Sequence, residues 1–226
     1  MVPAIAYGDD LHVAPCQPTV TCTADLAAPG TLELELGYQV KSGITQTTPF
    51  LVKLPLAHWL EVQVGDNGFT DAPNARYFDN PVVGAKLHVI DQAGQVPSIA
   101  FTVSAGLPTQ NPFELIATAH VSKDYGRYHI DWTSGVAAWQ GVRQPFSAFA
   151  LTRALGERWS VTLEPHYFAY AEPYAQRDGG AIAAVAFSPW PWLVLDAAID
   201  AVAIGPRAVA GLAGISIAPV QLWGGH

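Results

Sequence analysis

The sequence predicts an all-β fold: a transmembrane antiparallel β-barrel of about twelve strands, with both termini on the periplasmic side. Three observations carry this. Half of the 226 residues are hydrophobic and only 13% are charged, against roughly 25% charged in an ordinary soluble domain. No uninterrupted apolar run reaches the ~18 residues that a membrane-spanning helix needs, because the longest candidate, from Ala181 to Gly205, contains Pro189, Pro191, Asp196 and Asp200. Apolar residues instead recur at every second position of short segments, the period of a strand whose two faces meet different surroundings.

The alternation is strictest in LELELGYQV, where Leu32, Leu34, Leu36, Tyr38 and Val40 interleave with Glu33, Glu35, Gly37 and Gln39. FLVKLPL (Phe50–Leu56) and WLEVQVG (Trp59–Gly65) follow, joined by a tight Ala57–His58 turn. Asp66 to Pro81, rich in Gly, Pro, Asn and Asp, reads as a long connection before VGAKLHVI, a DQAGQ turn and PSIAFTVSAG. ELIATAHVSK, a DYG turn and RYHIDWTSG come next, then GVAAWQGVRQP as a loop. PFSAFALTR, LGE and RWSVTLEPHYFAY are followed by a second long loop from Ala171. AIAAVAFS, the SPWP turn, WLVLDAAIDAVA, a GPR connection and VAGLAGISIAPVQLW complete twelve strands. An even number returns both termini to one side, and the short turns then fall on the periplasmic side, as in bacterial single-chain barrels.

The alternate face is mostly Thr, Ser, Gly, Ala and Gln with scattered charges, a poor solvent coat but a suitable lumen lining. Trp59, Trp159, Trp190, Trp192 and Trp223 gather near periplasmic strand ends as an aromatic girdle, while Trp132 and Trp139 fall toward the outer rim. The apolar face therefore looks to lipid. The lumen is expected to receive Glu33, Glu35, Gln39, Lys41, Lys53, Glu61, Gln63, Lys86, His88, His120, His129, Asp131, Arg153, Glu164, His166, Asp196 and Asp200. Neighbouring strands bring Glu33 or Glu35 to Lys53 and Glu61 to Lys86, as cross-strand charge pairs. Such a network is either a polar path for solute or an internal plug.

Residues 1–28 read as an N-terminal periplasmic segment and residues 29–226 as the barrel. Cys16 and Cys22, close together in a Pro/Thr-rich stretch, are expected to close a small disulfide loop in an oxidising compartment. No second ligand pair lies near them, so no metal is expected, and no cofactor either. The start MVPAIAYGDD lacks a signal peptide's basic region, so the chain is expected to be a mature form with an added Met, and residues after Trp223 to be an addition as well. A net charge of −8 without a Lys/Arg cluster argues against nucleic acid as a partner.

The order of features resembles an outer-membrane barrel family of transporters assigned to the MetA pathway of phenol degradation. The matching pieces are Pro29 to Tyr38, Leu56 to Gly65, Gly84 to Leu87 and Leu107 to Thr109. The resemblance runs from about Asp25 to the C-terminus and implies a bacterial outer-membrane barrel that passes small, often hydrophobic or aromatic compounds. It brings no catalytic signature.

Three function classes follow: a channel or transporter for small solutes; a barrel that anchors an envelope-spanning assembly, with the N-terminal segment docking a periplasmic protein; and a lipid hydrolase. The last needs a nucleophile, a base and an orienting partner. Ser122 with His120, and His129 with Asp131 on the adjacent strand, supply the residue types.

Overall fold

The computed structural model describes residues 13–16, 18–41, 45–72, 75–109, 112–169 and 178–223. Both ends to which added residues were ascribed, and most of the loop from Ala171, lie outside these. The elements are β1 (Thr31–Lys41), β2 (Thr45–Ala57), β3 (Leu60–Ala72), β4 (Ala75–Phe78), β5 (Pro81–Ile90), β6 (Ser98–Gly106), β7 (Glu114–Tyr125), β8 (Tyr128–Trp139), β9 (Val142–Ala154), β10 (Trp159–Phe168), β11 (Asp178–Trp190), β12 (Leu193–Ile204) and β13 (Ala208–Gln221).

Every neighbouring pair is antiparallel, and the pairing of β1 with both β2 and β13 closes the sheet. β4 is an appendage that folds back onto the last residues of β3, pairing Phe69 with Phe78. The wall of the barrel is thus the twelve strands that the sequence predicts. Closure leaves no unpaired edge, and it lets every backbone polar group in the wall bond to a neighbouring strand, as hydrocarbon requires.

Two long segments read as loops depart from the sequence reading. Asp66 to Ala72 is not a loop but the upper part of β3, paired with Gln46–Thr48, Phe50 and then β4. Gly135 to Pro145 is not a loop either: β8 runs on to Trp139, β9 starts at Val142, and the two are joined by Gln140 (φ 47°) and Gly141 (φ 81°). Positive φ at both central positions is the geometry whose twist matches a two-residue hairpin.

Gly30 and Trp223 define one rim, called here the terminus rim. The turns at Ala57–Leu60, Ile90–Ser98, Tyr125–Tyr128, Ala154–Trp159 and Trp190–Leu193 share it. The outer face carries Leu36, Phe50, Leu87, Phe101, Val103, Phe149, Leu163, Leu195, Ile199 and Val209, all exposed. The inner face reverses the usual rule, since its most buried large side chains are Lys53, Glu33, Glu35, Glu61 and Glu164. A polar interior under an apolar exterior is the inside-out pattern of a barrel in lipid.

Leu163 sits in the middle of β10 and is 57% exposed. Leu163→Arg should lower the stability of vesicle-folded protein by about 2–4 kcal/mol in a denaturant titration, the cost of a cation near the bilayer midplane. An unchanged midpoint would show that this face does not meet lipid.

Candidate functional site: a barrel interior occupied by the N-terminal segment

Residues 1–28 are expected to form an N-terminal periplasmic segment. The structure instead places Val13 to Ala28, where described, against the inner wall. The Val13 amide donates to the Pro191 carbonyl at the terminus rim. From there Ala14 N–H reaches Glu33 Oε2 at 3.1 Å, and Cys16 N–H reaches Glu35 Oε1 at 3.0 Å. Cys16 and Cys22 are joined by a disulfide. The loop that it closes crosses to the other wall, where Val20 N–H and Thr21 N–H donate to the two Glu164 oxygens at 2.7 and 2.9 Å, and Thr21 Oγ1–H adds a third bond at 2.5 Å. Cys22 N–H meets Thr133 Oγ1, Ala24 N–H donates to Ser122 Oγ at 2.6 Å, and Ser98 donates to Asp25. The segment then returns to β1, where Thr31 N–H bonds the Ala28 carbonyl.

Two lysines hold the same segment from the acceptor side. Lys53 Nζ lies 2.9 Å from Glu33 and 2.5 Å from Glu35, and it donates to the Ala14 carbonyl at 2.5 Å. Its position follows from register, since Lys53 is directly opposite Glu33. Lys86 faces Glu61 across the sheet, but its amine turns to the carbonyls of Thr23 (2.5 Å) and Asp25 (3.0 Å), while Glu61 accepts from Gln63 at 2.7 Å. His88 Nδ1 is 3.0 Å from the Ala24 carbonyl.

Most of the remaining expected lumen residues fall into three groups. Asp131 is buried and bonded to Ser122 (2.5 Å) and to His129 Nε2 (3.0 Å). His166, Asp196 and Asp200 lie on the inner faces of β10 and β12, where Asp200 is in register with Lys41 across Ala210. Gln39 and Lys41 share the inward parity at the far end of β1, where Lys41 is exposed.

Arg153 corrects the sequence reading, because it shares the outward parity of Phe149 and Leu151 and lies over the Tyr128 ring at 5.7 Å. Trp59, Trp159, Trp190, Trp192 and Trp223 are all exposed at the terminus rim. Trp132 is a few residues above that rim rather than at the opposite one, and Trp139 turns inward to line a mouth cavity with Asn80 and Glu114.

The hydrolase geometry does not form. His120 bonds Thr133 through Nδ1, and Thr102 and Thr118 through Nε2, each at 3.0 Å. Ser122 bonds Asp131 directly and accepts the amide of Ala24, so no imidazole is placed to take its proton. These groups serve the contact with the N-terminal segment.

No protein-family model matches the sequence, and no curated protein matches it. Solved structures match by shape. The COG4313 outer membrane channel from Pseudomonas putida F1 superposes with a TM-score of 0.67 at 10% identity, over 91% of this chain and 99% of that one. The NanC porin gives 0.64 at 7% identity, and the KdgM porin in complex with disordered oligogalacturonate gives 0.63 at 8%, each over 82% of this chain and 98% of the other. This chain therefore has the fold of the outer-membrane β-barrel channels.

Glu164→Ala removes an acceptor of three hydrogen bonds from the disulfide loop, and bonds to a charged group contribute about 1.5–3 kcal/mol each. Protease cleavage within residues 18–24 should accelerate by roughly tenfold or more on that loss, while the heat-modifiable gel shift of the barrel persists. Glu164→Gln, which keeps acceptors, should fall between. Equal cleavage in all three proteins would show that Glu164 does not hold the segment.

Proposed function

We propose that this chain is a channel of the bacterial outer membrane that passes small solutes, with residues 13–28 forming its constriction. The observation that carries the reading is that the N-terminal segment binds the inner wall through side chains rather than as a strand of the sheet. Its amides and carbonyls meet Glu33, Glu35, Lys53, Lys86, Ser122 and Glu164. A contact of that kind can yield without opening the wall, whose closure depends only on strand pairing.

The apolar exterior and the likeness to the channel folds support the location and the transport class. The terminus rim is assigned to the periplasm, because bacterial barrels keep their shorter turns there. The resemblance to the phenol-pathway family supports a solute with a hydrophobic or aromatic skeleton. Residues 13–28 are engaged inside the barrel and so are not free to dock a periplasmic protein, which weakens the anchor reading.

In planar bilayers the intact chain should give small conductance steps, and a variant lacking residues 1–28 should give steps severalfold larger with the same heat-modifiable barrel. Equal conductance of the two would overturn the constriction, and silence of both would overturn the channel.

A further inference from the structure

We propose that the β9–β13 side of the lumen is a binding wall for small organic cations, an ammonium or guanidinium group attached to an apolar skeleton. The two sides of the interior solve the problem of buried carboxylates differently. On β1, Glu33 and Glu35 share the single positive charge of Lys53. On β10, Glu164 is satisfied by the N-terminal segment. On β12, Asp196 is 8% exposed, and neither of its oxygens has a hydrogen-bond partner among the described residues. Its carboxylate lies over Gly214, directly opposite on β13, at a point where a Cβ would collide with it.

Toward the other rim, Asp200 on β12 and Asp178 on β11 each have a buried oxygen that accepts no hydrogen bond among the described residues and has only the longer contact with His166. They flank His166, whose Nε2 is 3.7 Å from Asp200 and 4.0 Å from Asp178 and whose buried Nδ1 is unpartnered too. Among the described residues, no Lys or Arg shares the inward parity of β9 to β13; the nearest amine in register is Lys41, at the exposed end of β1 beyond Ala210.

A buried carboxylate without a partner costs several kcal/mol, and a cation brought against it removes that cost. Space for one is present: a cavity of about 150 Å³ separates Thr19, Thr21 and Thr23 of the N-terminal segment from Ala184, Ala186 and Asp196. The charged positions also alternate along β12 with Val194, Ala198 and Val202, all buried, so the wall offers carboxylate and hydrocarbon by turns. The described residues contain no group of three or more His, Cys, Asp or Glu that could hold a metal ion. Carboxylates spaced along a strand suit single ammonium groups instead.

The inference deepens the channel reading by naming the solute class, and for binding it stands without transport. The test compares 2-phenylethylamine with 2-phenylethanol, which share a skeleton and differ in charge, by equilibrium dialysis against the intact chain in detergent. The amine should bind saturably and the alcohol more weakly by roughly tenfold, and Asp196→Asn with Asp200→Asn should abolish the difference. Glu157→Gln, in the exposed Ala154–Trp159 turn, should leave it intact. The same three proteins are then placed in bilayers under a KCl gradient, where the double variant should lose cation preference in its reversal potential.

Equal binding of amine and alcohol, or no change in the double variant when its gel shift shows a folded barrel, overturns the inference. Amine binding without any current leaves the binding wall standing and overturns the channel.

Discussion

The structure depends on one constraint: carboxylates enclosed by a wall that faces lipid must find their partners inside the barrel. Turning a carboxylate outward would place it in hydrocarbon, and leaving it bare inside costs several kcal/mol. Lys53 meets two of them at once, and the backbone of the N-terminal segment meets Glu164. The described residues between Val13 and Ala28 form no helix or strand. The segment's amides are therefore free to act as donors, and the acids of the wall give it a fixed course that its Pro/Thr-rich sequence does not.

The disulfide fits the same requirement. By the loop-entropy relation, closing a loop of this length contributes about 2 kcal/mol. It holds Val20 and Thr21 in the pose that presents two successive amides to one carboxylate. A linear stretch would have to order those residues on binding, at about 1–2 kcal/mol each.

How much of this is legible in the sequence follows from the range of the interaction involved. Period-two alternation is local, so Leu32–Val40 or Leu60–Val64 announces both the strand and the inward glutamates. The Glu33–Lys53 pair follows from the register of one hairpin. Gly135–Pro145 is missed because Val136, Ala137 and Ala138 are apolar on both faces, and the Gln140–Gly141 turn lacks the usual Asn-Gly signature. Arg153 is misplaced by its charge, whereas its parity with Phe149 and Leu151 points outward; near a rim, a long cationic side chain on the lipid face reaches the interface and stacks on Tyr128. The course of the N-terminal segment rests on contacts more than a hundred residues apart, such as Thr21 with Glu164, which no local pattern encodes. One signal was present: the inward acids outnumber the inward lysines, so donors had to come from elsewhere.

The N-terminal segment is tied to the wall at its exit. Gly30 donates to the Pro55 carbonyl and accepts from Leu222, which fixes the chain at the junction of β1, β2 and β13. A segment displaced from the wall would remain on a tether of at most about fifteen residues, and short flexible tethers hold their ends at effective concentrations in the millimolar range. Re-docking is then intramolecular and independent of how many copies the membrane holds. In the channel proposed above, an invading solute competes against a permanent local rival, so its residence, rather than any slow reassembly, would set how long the passage stays clear.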